Sequence, residues 1–62
     1  MTLEQIKSKI KYGDYNVLGE MLEITVAAAK MRFMRNDEKA IEAMKNIIET
    51  RESLIENFNL KK

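Results

Sequence analysis

The chain reads as an all-α protein of four helices, and three observations predict it. Strand-type alternation of apolar and polar residues is absent, proline is missing, and apolar residues recur at i, i+3 and i+4 along most of the sequence. Helix-forming residues dominate throughout, and glycine occurs only at Gly13 and Gly19, so breaks between helices are few. The expected order is a short first helix, two more short helices over about 15–22 and 26–35, and one long C-terminal helix, all in a single domain over 1–62.

The first helix is expected from Leu3 to about Tyr12. Thr2 and Gln5 make a capping box, the hydroxyl accepting from the Gln5 N–H while the Gln5 side chain accepts from the Thr2 N–H. Leu3, Ile6 and Ile10 form one apolar face flanked by Lys7, Lys9 and Lys11, with Lys11 in the last turn, where the helix dipole favours a cation. Gly13 is expected to stop this helix as a C′ residue of positive φ.

The second helix is expected from about Tyr15 to Leu22, with Asp14 as N-cap and Val17, Leu18, Met21 and Leu22 facing inward. Gly19 lies in mid-helix, where glycine is roughly 1 kcal/mol worse than alanine, which implies a close approach by a neighbouring helix. The third runs from about Val26 to Arg35 behind an N-cap at Thr25. Val26, Ala29 and Phe33 share a face, and Ile24, just before the cap, is placed to plug the core at the turn.

The fourth helix is expected from about Asp37 to Asn59, capped by Asn36, with Asp37 and Glu38 at its positive end. Ala40, Ile41, Met44, Ile47, Ile48, Leu54, Ile55 and Phe58 form a wide stripe, and the helix reaches on the order of 30 Å. Lys45 and Glu49 form an i, i+4 pair on its polar face, and Lys61 and Lys62 are expected to fray.

Composition narrows the function classes. A chain of 62 residues buries only roughly 60% of its unfolded surface and must use its core economically. Without cysteine or histidine it has no disulfide, no thiolate metal site and none of the usual general bases. Glu38, Glu42, Glu49, Glu52 and Glu56 lie on the solvent face of the long helix and read as solubilising charge rather than metal or acid–base pairs. No enzyme, metal site or cofactor is expected. Residues 1–35 hold six cations against four acids, and residues 36–62 five against six, so the front is mildly basic and the back mildly acidic although the net charge is only +1. Tyr12 and Tyr15 are expected to pack against the helix ends with their hydroxyls in water. No apolar run is long enough to span a membrane and no signal-peptide core opens the chain, so a soluble cytoplasmic protein is expected.

The stretch Val17–Asn36, VLGEMLEITVAAAKMRFMRN, is two short apolar-periodic segments hinged at Glu23-Ile24-Thr25. Its part LGEMLEITVAAAKMRFMR, residues 18–35, resembles the L-A-E-x-L-G-I-S-x-x-x-V-x-x-R-L-x-R pattern of helix-turn-helix proteins, shared by small phage and bacterial regulators and by the promoter-reading domain of sigma factors. Leu18, Leu22, Ile24, Thr25, Arg32, Phe33 and Arg35 fit as they stand, while Gly19 and Ala29 replace alanine and valine. Glu23 departs from the pattern, which has glycine there; a positive φ at Glu23 costs about 1 kcal/mol. The layout around the motif also resembles short regulators carried by phages and mobile elements.

The resemblance implies a double-stranded DNA-binding regulator of transcription with helix 26–35 in the major groove. Lys30, Arg32 and Arg35 would then meet phosphates, Thr25 or its backbone N–H would add a contact at the helix start, and Ala27, Ala28 and Met31 would approach base edges. This face lacks Asn and Gln, so it is poor in groups that discriminate bases. The same Ala27, Ala28, Met31 and Met34 face also suits a protein partner. In the long helix, Ile41, Met44, Ile48, Arg51, Ile55 and Phe58 follow a heptad-like series broken by Arg51. It reads either as the seam of a homodimer, pairing two half-sites about 34 Å apart, or as a helix that completes a monomeric core; the stripe is wider than a coiled-coil seam needs, which leaves room for part to face the core and part a partner.

Overall fold

The computed structural model describes residues 1–60, in which the helices are α1 (Leu3–Lys9), α2 (Asp14–Leu22), α3 (Val26–Met34) and α4 (Glu38–Leu60). No strand occurs among the described residues. The fold is all-α with a long C-terminal helix, as the sequence predicts. Lys61 and Lys62, expected to fray, lie outside the described residues. α4 packs against each of the other three helices, and α2 and α3 pack most closely on one another.

The helix starts follow their caps. The Thr2–Gln5 capping box forms in both directions, at 3.2 Å and 2.9 Å. Thr25 caps α3, its hydroxyl accepting from the Ala28 N–H at 3.2 Å. Two caps differ from expectation. Asp37, not Asn36, caps α4, its carboxylate accepting from the N–H groups of Lys39 and Ala40. Asp14 is the first residue of α2 rather than its cap, because Gly13 holds that position in a left-handed conformation at φ 94°.

α2 and α3 end in the same way. The N–H of Glu23 bonds the Glu20 carbonyl and that of Ile24 bonds the Gly19 carbonyl; one helix later, Asn36 bonds Phe33 and Asp37 bonds Arg32. Both are Schellman closures, each with one left-handed residue, Glu23 at φ 57° and Asn36 at φ 62°. Asparagine tolerates that conformation, which explains why Asn36 serves the end of α3 and not the start of α4. α1 ends at Lys9, three residues early, because Ile10 turns to an extended conformation and takes the chain toward Gly13.

The core draws Ile6 from α1, Leu18 from α2, Ala29 and Phe33 from α3, and Ala40, Ala43, Met44 and Ile48 from α4. The Phe33 and Tyr15 rings meet edge to face, with centroids 6.1 Å apart and planes at 72°. Leu22 and Ile24 pack against this core from the turn. Gly19 is needed where a Cβ would lie 3.0 Å from the Ile24 carbonyl oxygen, so the close neighbour is the turn itself rather than another helix. Val17, Met21 and Val26, expected inward, are about half exposed. The nine-residue helices α2 and α3 have room for only a few core positions each, and Leu18, Ala29 and Phe33 occupy them.

α4 outruns its neighbours. Its 23 residues span roughly 34 Å, while α1 to α3 have seven to nine residues each. The apolar stripe is therefore buried at Ala40, Met44 and Ile48 but emerges into solvent at Leu54 (69% exposed), Ile55 and Phe58 (65%).

Arg51 marks the change. One of its guanidinium nitrogens donates to Asp14 Oδ1 at 2.6 Å and the other to the Lys9 carbonyl at 2.7 Å, while Asp14 Oδ2 accepts from the Lys11 N–H at 2.7 Å. A single cation thus closes the C-terminal end of α1 and pairs with a carboxylate at the N-terminal end of α2, both favoured by the helix dipoles. It pins the α1–α2 junction to α4. Lys9 and Glu52 add a solvent-exposed ion pair at 2.8 Å beside it.

Candidate functional site

α3 is set by the turn Glu23-Ile24-Thr25, which the Schellman closure, the buried Gly19 and the Thr25 cap hold from both sides. At about 100° per residue, Ala29 and Phe33 point into the core. Ala27, Met31 and Met34 lie on the opposite side, with Met31 52% and Met34 67% exposed. Lys30 lies on one flank of this exposed strip; Ala28, Arg32 and Arg35 lie on the other. Thr25 is exposed at the helix start, Ala28 is half-buried, and Ala27, Lys30, Arg32 and Arg35 are exposed. The seven residues singled out in the sequence thus share the outward side and flanks of α3.

Their surroundings are not symmetrical. The Lys30 ammonium sits 5.8 Å from the centroid of the Tyr15 ring, a cation–π contact that draws it toward α2. Arg32 and Arg35 are in no ion pair among the described residues, where the pairs are Lys9–Glu52 and Arg51–Asp14. Arg35 closes the last turn of α3, its N–H donating to the Met31 carbonyl at 3.0 Å, so it brings a cation to the C-terminal end of the helix, which the dipole favours.

The proposed dimer series on α4 needs correction. Met44 and Ile48 are fully buried in the protomer's own core, and Ile41 is half-buried against it. Arg51 is committed to Asp14 and Lys9. Only Ile55 and Phe58 of the six are exposed, so the series is not a single outward seam. The helix packs on its own protomer through Ile48, and only its distal part is available to a partner.

Two surface features escaped the sequence reading. Val17 and Met21 of α2 meet Ile47, Thr50 and Leu54 of α4 in an apolar groove of about 340 Å³. The residues Lys11 and Tyr12, with Tyr15, Asn16 and Lys30, line a concavity of about 550 Å³ between the α1–α2 turn and α3. Tyr12, expected to pack on a helix end, projects wholly into solvent, and Tyr15 is the one that packs. Among the described residues no group of three or more acidic side chains is placed to hold a metal ion, and no helix is long and apolar enough to cross a membrane. Comparison with family models, curated proteins and solved structures gives no match.

Proposed function

We propose that the chain binds double-stranded DNA through α3 laid in the major groove and acts as a transcriptional regulator of the helix-turn-helix kind. The observation that carries this reading is the outward side of α3: an apolar strip of Ala27 and Met31 with Lys30 on one flank and Arg32 and Arg35 on the other. A B-form major groove is about 12 Å wide and walled by phosphates on both sides, with bases at its floor. A narrow strip of small and flexible side chains between two cationic flanks suits that shape. Thymine methyls are the groups that Ala27, Ala28 and Met31 are fitted to touch, and Thr25 brings the helix start to a phosphate. The strip has few hydrogen-bonding groups, so affinity comes chiefly from phosphates and base discrimination is weak.

The test is a titration of mixed-sequence duplex across a salt series. Log K falls with log[salt] by about 0.9 for each phosphate neutralised. Replacing Lys30, Arg32 and Arg35 together by alanine removes most of that slope while helix content stays unchanged. Absence of duplex binding at low salt rejects the reading.

A homodimer would double the phosphate contacts and pair half-sites about 34 Å apart. Its surface is then the distal part of α4, Leu54, Ile55 and Phe58, together with the groove of Val17, Met21 and Ile47. The α4 residues that line this groove, Asn46, Ile47, Thr50, Arg51 and Leu54, hold one charge, and that one is paired with Asp14, although 34% of the chain is charged. The exposed helix and the groove beside it supply both a ridge and a slot, as a two-fold contact requires. Light scattering over a concentration series checks it, and a monomer at every concentration removes it.

One observation favours a second reading. Met31 and Met34 are large, flexible, apolar and more than half exposed, and such a surface also fits a protein partner. If Met31→Asp breaks a protein complex while duplex affinity never appears, the interaction reading replaces the first.

A further inference from the structure

We infer that the α1–α2 turn and the concavity it forms with α3 are a second phosphate-binding element. It would grip the sugar–phosphate backbone of duplex DNA on the side of α3 opposite Arg32 and Arg35. The inference rests on the DNA-binding reading and extends its footprint to residues outside the helix-turn-helix segment.

Four observations meet here. Two concavities adjoin along α1, sharing Ile10 and Tyr15. The larger, about 550 Å³, is lined by Lys11, Tyr12, Asn16 and Lys30 among others. The smaller, about 430 Å³, has Lys7 as its one charged residue, with Phe33 and Met34 on its far side. Three lysines therefore face this side of α3, and no carboxylate lines either concavity. The acid nearest Lys11 in sequence, Asp14, is turned inward, both of its oxygens engaged by Arg51 and the Lys11 N–H; Glu4, three residues before Lys7, is exposed but lines neither concavity. Lys7, Lys11 and Lys30 are in no ion pair among the described residues.

The turn is also held in place. The Lys11 N–H donates to Asp14 and the Asp14 N–H donates to the Lys11 carbonyl at 3.1 Å. Gly13 supplies the positive φ, and Arg51 ties the junction to α4. Tyr12, at the tip, is fully exposed with its hydroxyl free to donate, and Asn16 adds an amide at the groove wall. Lys30, drawn over Tyr15, belongs to this cluster more than to the Arg32–Arg35 flank. Lysines, a tyrosine and an asparagine on a rigid backbone are groups that contact phosphate oxygens without reading bases. The cations thus divide into two sets across the Ala27–Met31 strip, matching the two strands that wall a major groove.

The experiment is a fluorescence-anisotropy titration of the full chain with a mixed-sequence duplex between 50 and 200 mM salt. Three double variants are compared with the parent: Lys7→Ala/Lys11→Ala, Arg32→Ala/Arg35→Ala, and the control Lys39→Ala/Lys45→Ala. The control removes the same charge from α4. Circular dichroism verifies that each remains helical. The inference expects Lys7→Ala/Lys11→Ala to reduce the salt slope by about two, one for each lysine, with the control close to the parent. If Lys7→Ala/Lys11→Ala follows the control while Arg32→Ala/Arg35→Ala loses slope, the second element is rejected and the DNA reading stands. If all three variants lose slope alike, net charge and not a placed element governs binding, and the inference is again rejected. If the parent shows no salt-dependent duplex binding, the reading and the inference fall together.

Discussion

α3 and the distal part of α4 both hold large apolar side chains in solvent, but in different company. On α3, Met31 and Met34 stand between Lys30 and the pair Arg32 and Arg35. On α4, Leu54, Ile55 and Phe58 continue a stripe that is core-facing two turns earlier, at Ile48, and the groove beside it is lined by Val17, Met21 and Ile47 with hardly any charge except the paired Arg51. An apolar strip between cations suits a polyanion with apolar groups at its floor. An apolar ridge beside an apolar groove suits a like surface. Exposure alone would class the two together; the charges around them separate them.

The largest effect sharpens the contrast within α4. Met44→Ala empties a fully buried site and is expected to destabilise the protein by about 2–5 kcal/mol, read from the urea midpoint. That rivals the whole stability of a chain this size, roughly 3–9 kcal/mol at typical values per residue. A change below about 1 kcal/mol would show that α4 is not held by its proximal half.

Arg51 sits at the boundary between the two halves. Arg51→Ala leaves the Asp14 carboxylate, whose side chain is 9% exposed, without its cation, and frees the Lys9 carbonyl. Breaking a fully buried pair costs roughly 3–5 kcal/mol; with the arginine side chain 24% exposed, about 2 kcal/mol is expected here. The Lys7/Lys11 share of the salt slope should fall as well, because the turn loses its anchor. Full retention of stability and slope would separate the pair from both roles.

Glu23→Gly tests how α3 is aimed. The residue occupies φ 57°, where glycine carries no Cβ penalty, and the substitution is expected to stabilise by about 1 kcal/mol. Duplex affinity should not change, since the conformation of the turn is the same. A destabilised variant would mean that the glutamate side chain contributes something beyond its backbone.

The smallest stability effect belongs to the distal stripe. Leu54→Ser is expected to alter unfolding of the protomer by no more than about 0.5 kcal/mol, while weakening self-association in light scattering. If stability falls as far as it does for Met44→Ala, the distal part is core, and the contrast with the proximal part is lost.

Much of the fold was legible in order and kind. The Thr2–Gln5 box, the Thr25 cap and the apolar periodicity are local features, settled within a turn or two of chain, and they appear where the sequence places them. The misplaced caps share a cause. Gly13 and Asn36 both favour left-handed backbone, and sequence alone does not say whether such a residue closes the helix before it or opens the one after. Gly13 opens α2, and Asn36 closes α3. Asp14 and Asp37 are both good cap residues, yet a guanidinium 37 positions away recruits Asp14 for another purpose. The candidate site on α3 was legible because its outward side is the complement of Ala29 and Phe33. The concavity at Lys11 and Tyr12 was not, because it forms between a turn and a helix that are distant in sequence.

By itself the sequence determined that the chain is helical, where each helix begins to within a few residues, and which side of α3 turns outward. Hydrogen bonds to neighbours along the chain and the 3.6-residue period suffice for those. Only the tertiary structure decided the fate of the long apolar stripe of α4. Met44 and Ile55 are both apolar and, eleven residues apart, lie within about 20° of one line on the helix, but burial depends on whether another helix lies opposite, and the short helices end before Ile55. It also decided the place of Arg51, which in sequence only interrupted a heptad-like series open to a seam between protomers or to the core. Its bonds to Asp14 and Lys9 close inside one chain, because a charge moves to whatever partner the packed helices bring within reach.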